Sequence, residues 1–214
     1  MSVRQSPKFL YFDLGNVLLF FDHHRAWRNL AALTGADEQR FWDVAFASGL
    51  YLQADGGGLD GDAFYERVCG SVLPDRKAWP SREAFDHAVS DIFEINVPLM
   101  AVTAQLKAVG YRLGLLSNTC DMHYDFFGRG RYRFIAELFD PVVLSYELKL
   151  MKPDRRIYEQ AAELAGVSPS EVFYIDDLPA NVDGAIAAGF DAVQYTSPQA
   201  LVADLRHRGL RFNY

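Results

Sequence analysis

The sequence predicts an α/β protein built on a central five-stranded parallel sheet with helices on both faces, and a helical insertion after the first strand. Three observations predict it. Short apolar runs rich in Val, Leu, Phe and Tyr lie at 8–13, 111–117, 141–145, 171–176 and 191–195, the composition of strands buried on both faces. From residue 111 onward these runs alternate with stretches of helical period, the order of a parallel sheet wrapped by crossover helices. Residues 22–96 interrupt that alternation with helical stretches alone.

Taken in order, the first strand runs to Asp13, and Leu14-Gly15-Asn16 turns the chain out of it. The insertion holds four helical stretches, at 23–33, 37–48, 60–71 and 81–93, separated by Thr34-Gly35, by Gly56-Gly57-Gly58 and by the loop from Pro74 to Pro80. Phe85, Val89 and Ile92 share one face of the last. Leu99, Val102, Leu106 and Val109 then recur at helix spacing until Gly110 stops them. Ile157, Ala161 and Leu164 do so before Gly166, and Val182 and Ile186 before Gly189. Leu201, Val202 and Leu205 follow a Ser197-Pro198 helix start. Ser168-Pro169-Ser170-Glu171 has the form of a capping box, but Val172-Phe173-Tyr174-Ile175 has strand composition, so the segment reads as a turn. The organisation expected is a core of 1–21 and 97–214 and a cap of 22–96. Such a cap lies over the C-terminal end of the first strand, where open α/β sheets bind ligands.

At 214 residues, half of them hydrophobic, the chain has enough apolar surface for one core and an insert. A net charge of -7 argues against nucleic acid as a partner, because phosphate-backbone binding needs clustered Lys and Arg. Cys69 and Cys120 fall in different elements, the pattern of reduced thiols acting as small buried hydrophobes. Met1-Ser2-Val3-Arg4-Gln5-Ser6-Pro7 has no apolar signal core, and no apolar run is long enough to span a bilayer. A cytoplasmic protein without a membrane partner is expected, and monomer and homodimer are both open.

Chemistry gathers at strand ends. Asp13 alone reads as a turn-former, but the turn at Gly15 and Asn16 exposes backbone amides that can approach a phosphate, and a carboxylate there can attack phosphorus. Asp176 and Asp177 repel each other unless a cation or donor compensates, and a hard divalent ion such as Mg²⁺ is the usual remedy. The bland alternative is that one of them caps the helix near Pro179; Asn181, one turn on, reaches the acidic loop in either case. Ser117-Asn118 is either an ordinary helix cap or a hydroxyl and amides for a phosphate. Lys152, followed by Pro153-Asp154, says little alone.

Together, Phe12-Asp13-Leu14-Gly15-Asn16-Val17, Leu116-Ser117-Asn118-Thr119, Met151-Lys152-Pro153-Asp154 and Tyr174-Ile175-Asp176-Asp177 with Asn181 resemble the four ordered motifs of the haloacid dehalogenase-like hydrolase superfamily. The resemblance covers nearly the whole chain. It implies a Rossmann-like core with an α-helical cap, and a Mg²⁺-dependent phosphatase acting on a small phosphorylated metabolite. The Asp-Leu-Gly-Asn-Val form of the first motif is similar to that of α-D-glucose-1-phosphate phosphatases; the phosphatase domain of soluble epoxide hydrolase is a more distant likeness. By the same resemblance Asp13 is nucleophile and metal ligand, Gly15 gives a backbone carbonyl to the metal, and Asp177 completes the protein ligands with Asp176 beside it. Ser117 and the Asn118 amide hold phosphate oxygens, and Lys152 offsets charge on Asp13 and the phosphoryl group.

One position departs from the family pattern. Most phosphatases of the superfamily carry a second Asp two residues after the nucleophile, as general acid and base, and here that position is Gly15. A sugar 1-phosphate needs less acid help, because its leaving oxyanion is less basic than an ordinary alkoxide. Water, Asp22 or His23 are the substitutes visible in the sequence, although both side chains also open the first cap helix. Trp27, Trp42, Phe46 and Gln53 are candidates to face the cleft, or else members of the cap's interior. A metal-free 2-haloacid dehalogenase is a second reading, opposed by Asp176-Asp177, where that branch carries uncharged residues. A non-catalytic phosphoryl-binding module is a third, opposed by the retention of Asp13, Lys152 and Asp177.

Overall fold

The structure, a computed structural model, describes residues 6–214. Residues 1–5, most of the stretch read as lacking a signal core, lie outside the described residues. β1 (Phe9–Phe12) leads through a tight loop to a short strand β2 (Leu19–Phe21). Five helices follow: α1 (His23–Thr34), α2 (Glu38–Trp42), α3 (Leu50–Asp55), α4 (Gly61–Val72) and α5 (Arg82–Ser90). β3 (Phe93–Ile95) then pairs antiparallel with β2, Phe21 opposite Phe93 and Leu19 opposite Ile95. We take the helices enclosed by this ribbon as the cap.

The sequence reading misses two features here. The helix expected over 81–93 ends at Ser90, because Phe93, Glu94 and Ile95 find hydrogen-bonding partners on β2. The stretch expected at 37–48 is α2 continued by a π-helical turn, Asp43–Ala47; Gly49, at φ 76°, then breaks the chain before α3.

The remainder follows strand–helix alternation: α6 (Val97–Ala108), β4 (Leu113–Ser117), α7 (Asp121–Tyr124), α8 (Arg133–Leu138), β5 (Val142–Leu144), α9 (Ser145–Leu148), α10 (Arg155–Ala165), β6 (Val172–Asp176), α11 (Pro179–Ala187), β7 (Asp191–Gln194) and α12 (Pro198–His207). The sheet order is β5-β4-β1-β6-β7 and every pairing is parallel, as a Rossmann-like core requires. Its strands are the five apolar runs. The Ser168–Glu171 capping box is real: the Ser168 N–H donates to Glu171 Oε2 at 2.9 Å, heading a single 3₁₀ turn before β6.

Alternation along β1 divides the interior. Phe9 and Tyr11 join Tyr158, Ala161 and Tyr174 on one face of the sheet. Leu10 and Phe12 join Leu106, Leu205 and the apolar residues of the cap on the other. Helical period overreaches at its margins: Val109, Leu164 and Ile186 are about half exposed, because only the sheet-facing stripe of each helix finds a partner. Cys69 and Cys120 are buried free thiols, as expected.

The cap meets the core closely after α3. Gly57 has φ 69°, and a Cβ built there would lie 2.1 Å from the backbone oxygen of Tyr146. Gly57→Ala would combine left-handed strain with a clash against backbone that has no rotamer to yield. A loss of about 3 kcal/mol is expected, read as a lower urea midpoint at unchanged slope.

Candidate active site

Parallel pairing brings the chemistry to one edge. Phe12 is level with Leu115 of β4 and with Ile175 of β6, so Asp13, Ser117 and Asp176 leave the sheet side by side at its C-terminal end. The Asp13 N–H is fixed to Ile175 O at 2.8 Å. Lys152 arrives from the loop after α9 and is buried. Its Nζ donates to Asp13 Oδ1 and Asp176 Oδ2 at 2.7 Å each, to Tyr174 Oη at 2.9 Å and to Leu116 O at 3.0 Å. Three ammonium protons are thus shared among four oxygens.

The Asn118 side chain holds Lys152 in place. The Lys152 N–H donates to Asn118 Oδ1 at 2.9 Å, and Asn118 Nδ2 donates to Lys152 O at 3.0 Å. That leaves the Asn118 backbone N–H, rather than its side chain, for a ligand. Tyr174, which donates to Asp176, is a participant that the sequence reading counted only as a strand residue.

Opposite charges and burial compete at each group. For Asp13, burial is the largest influence and raises it, Lys152 pulls it down, and Asp176 pushes it up again, to about 7. Asp176 is also penalised by burial, but Lys152, Tyr174 and the Leu178 N–H all donate to it, and it sits below its ordinary range. The two carboxylates share one ammonium and differ in how many further donors they have. Burial opposes the charge on Lys152, and the Asp13 and Asp176 carboxylates more than restore it. Asp177 is half-buried, held by Asn16 Nδ2 at 3.2 Å, and raised chiefly by burial. Asn181 Nδ2 reaches both oxygens of Asp176 at 3.1 Å, and the Leu178 N–H donates to Oδ1 at 2.8 Å. Asp176 therefore braces Leu178 and Asn181 at the entry to α11, but it does not cap the helix, which has no side-chain cap.

Carboxylate oxygens of Asp13, Asp176 and Asp177 all lie within 4.8 Å of one another. Three carboxylates against one ammonium leave two negative charges in excess, and the donors are hard oxygens. This set fits a divalent cation of the Mg²⁺ kind.

Above these groups lies a cavity of about 250 Å³, lined on the core side by Asp13, Gly15, Asn16, Ser117, Asn118, Thr119, Lys152 and Asp177. Every core residue of the four motifs given a catalytic, phosphate or metal role lines it except Asp176, which is fully buried behind Lys152 and Tyr174.

The cap wall differs from expectation. Trp27, Trp42, Phe46 and Gln53 do not line the cavity. Trp27 is fully buried within the cap, Trp42 stacks on His24 at 4.2 Å and on Phe46 at 4.4 Å, and Gln53 faces solvent. The wall is instead built by Phe21, His23, Tyr51, Asp55, Phe93 and His123, drawn from both ribbon strands and from α1, α3 and α7. Asp22 is exposed, caps α1 through the His24 N–H at 2.9 Å and pairs with Arg28. Of the two acid substitutes proposed from sequence, only His23 reaches the cavity.

The family model of the haloacid dehalogenase-like hydrolases matches residues 8–189. D-ribitol-5-phosphate phosphatase of Bacteroides thetaiotaomicron is 24% identical over 201 residues, 87% of this chain and 91% of that protein. A HAD-family enzyme of the same organism, crystallised with magnesium and inorganic phosphate, superposes with a TM-score of 0.75 at 26% identity, covering 89% of this chain and 94% of the other. (S)-2-haloacid dehalogenase 4A of Burkholderia cepacia is 31% identical over 108 residues, 49% of this chain and 46% of that enzyme. The chain spans 15% of the length of mouse acyl-CoA dehydrogenase family member 10, to which it is 25% identical over 162 residues. With the motif residues assembled at one sheet edge and the family model spanning most of the chain, this protein belongs to the haloacid dehalogenase-like hydrolases.

Proposed function

We propose that the protein is a Mg²⁺-dependent phosphoric monoester hydrolase acting on a small sugar or polyol phosphate through an aspartyl-phosphate on Asp13. The observation that carries this is the cluster of three carboxylates around one buried ammonium, under a small cavity. Without a cation this excess of carboxylates disfavours any anionic substrate, so the cluster suits chemistry that brings a divalent ion with the phosphate better than metal-free dehalogenation. The free buried thiols suit the reducing cytoplasm we infer for it.

In this reading an Asp13 oxygen attacks phosphorus, while the Ser117 hydroxyl and the Asn118 N–H orient the non-bridging oxygens. Lys152, fixed by Asn118, pulls Asp13 toward its ionised form against burial and offsets charge gathering on the phosphoryl group. Asp13, Asp177 and the Gly15 carbonyl, with Asp176 beside them, would hold Mg²⁺, which when bound neutralises charge on the phosphoryl oxygens.

Phosphate release from a panel of sugar and polyol phosphates, with α-D-glucose 1-phosphate and D-ribitol 5-phosphate included, tests the reading. Turnover should need Mg²⁺, vanish in EDTA and return with excess Mg²⁺. Turnover that survives EDTA would overturn the metal assignment. No turnover on any ester, with Mg²⁺ still bound, would make the protein a binding module.

A further inference from the structure

Position 15 does more than lack an acid. A Cβ there would lie 2.7 Å from Phe21 Cε1, so the aromatic ring of β2 occupies the space a side chain would enter. A proton for the departing alcohol therefore comes from water or from another part of the cavity wall. The cap offers His23, Tyr51 and Asp55, and α7 of the core adds His123. Burial drives His23 down to about 4 and His123 to about 3, so neither is charged at neutral pH. The Tyr51 hydroxyl is engaged with His123 Nε2 at 2.7 Å, and burial raises it well above its ordinary range.

Asp55 is different. It ends α3 where the cap is pinned to the core: Ser145 Oγ donates to its backbone oxygen at 2.5 Å, and Gly57 lies against Tyr146 two residues on. Its side-chain Oδ1 is buried and has no hydrogen-bond partner among the described residues. A carboxyl oxygen left bare on the wall of a cavity, on rigidly held backbone, is built to meet something in that cavity.

We propose that Asp55 is the proton carrier of this site, giving a proton to the departing alcohol and regaining one from the hydrolytic water. The proposal rests on the phosphatase reading. In the first step an Asp13 oxygen bonds to phosphorus as the ester P–O bond breaks. The electron pair goes to the ester oxygen, which takes the Asp55 proton and departs as the neutral alcohol. In the second step water bonds to phosphorus and passes a proton to the Asp55 carboxylate, while the Asp13–phosphorus bond breaks to release phosphate. Burial alone raises Asp55 to about 7, where a carboxyl both gives and regains a proton readily at neutral pH. The titratable groups around it, Tyr51, His23, His123 and Cys120, supply no cation to hold it ionised.

Asp55→Asn tests this through kcat/KM on two esters, p-nitrophenyl phosphate and a polyol phosphate. The first step governs this ratio, and p-nitrophenolate leaves without a proton. The variant should lose about 100-fold on the polyol phosphate and less than about threefold on p-nitrophenyl phosphate. Equal losses on both esters, or a rise in KM with kcat intact, would make Asp55 a structural or substrate-binding residue and overturn the proposal. Wild-type protein inactive on both esters would sink the phosphatase reading itself, and this proposal with it.

A thermal measurement supplies a readout apart from activity. The folded carboxyl ionises later than the unfolded one, so its cost to stability is small at pH 4, grows as pH rises toward 7 and is nearly complete at pH 8. Asp55→Asn should melt with the wild type at pH 4 and several degrees above it at pH 8. Identical melting at both pH values would remove the proton held by the cap, and the proposal with it.

Discussion

Asp13→Asn is expected to lower phosphate release by about 10⁴-fold or more while leaving the protein folded. Asparagine matches aspartate in shape, so the turn at Gly15 and the packing of β1 have no reason to move. What it lacks is an ionised oxygen to attack phosphorus, and neither neighbouring carboxylate can take the part: Asp176 is sealed behind Lys152 and Tyr174, and Asp177 is tied to Asn16. The substitution also removes a buried charge from a crowded cluster, so thermal stability in EDTA should hold or improve. Rapid-quench assays with a labelled phosphate ester would detect phosphorylated wild type and none in the variant. Turnover within tenfold of wild type would assign the nucleophile elsewhere.

Lys152→Met is expected to act on stability as strongly as on turnover. Among the described residues the ammonium is the only cation bonded to Asp13 and Asp176, and methionine fills much the same volume without it. Three clustered carboxylates would then face one another in a buried site, at a cost of about 3–5 kcal/mol in EDTA. Two conditions should relieve it. Acidification protonates the carboxylates, whose pKa values rise once the ammonium is gone, so the deficit is greatest above pH 7 and shrinks as pH falls. Added Mg²⁺ should recover part of it, since a cation that binds only the folded state stabilises that state by mass action. Turnover should still fall about 100-fold or more, because charge is then missing where it gathers in the transition state. Urea titrations at two pH values, with and without Mg²⁺, check this; a deficit that ignores both would mean that Lys152 matters for packing alone.

The core half of the site was legible because each residue there is tied to a strand end. Asp13, Ser117 and Asp176 each close an apolar run, and parallel pairing turns that shared sequence position into a shared place in space. Lys152 became legible only through its company. The cap half was not legible, because its residues come from five separate elements and no spacing links His23, Tyr51, Asp55 and His123. Size was a poor guide there: Trp27 and Trp42 drew attention as large aromatics, and large aromatics serve first to fill the cap. The region between β4 and β5 also escaped, since the π-helical turn Asp125–Arg131, broken at Gly130, follows no 3.6-residue period. Strands of three residues such as β2 and β3 carry too little pattern to stand out before their pairing is known.

The ring of Phe21 against the bare Cα of Gly15 has an evolutionary consequence. The two positions are sterically coupled, since a side chain at 15 meets the ring, and a smaller residue at 21 alone opens a hole beside β2. An acid placed next to the nucleophile at 15 must first displace that ring, so it comes most easily together with a change at 21. Innovation in the alcohols it accepts is thereby channelled into the cap, where a change in α1 or α3 leaves the phosphate chemistry intact.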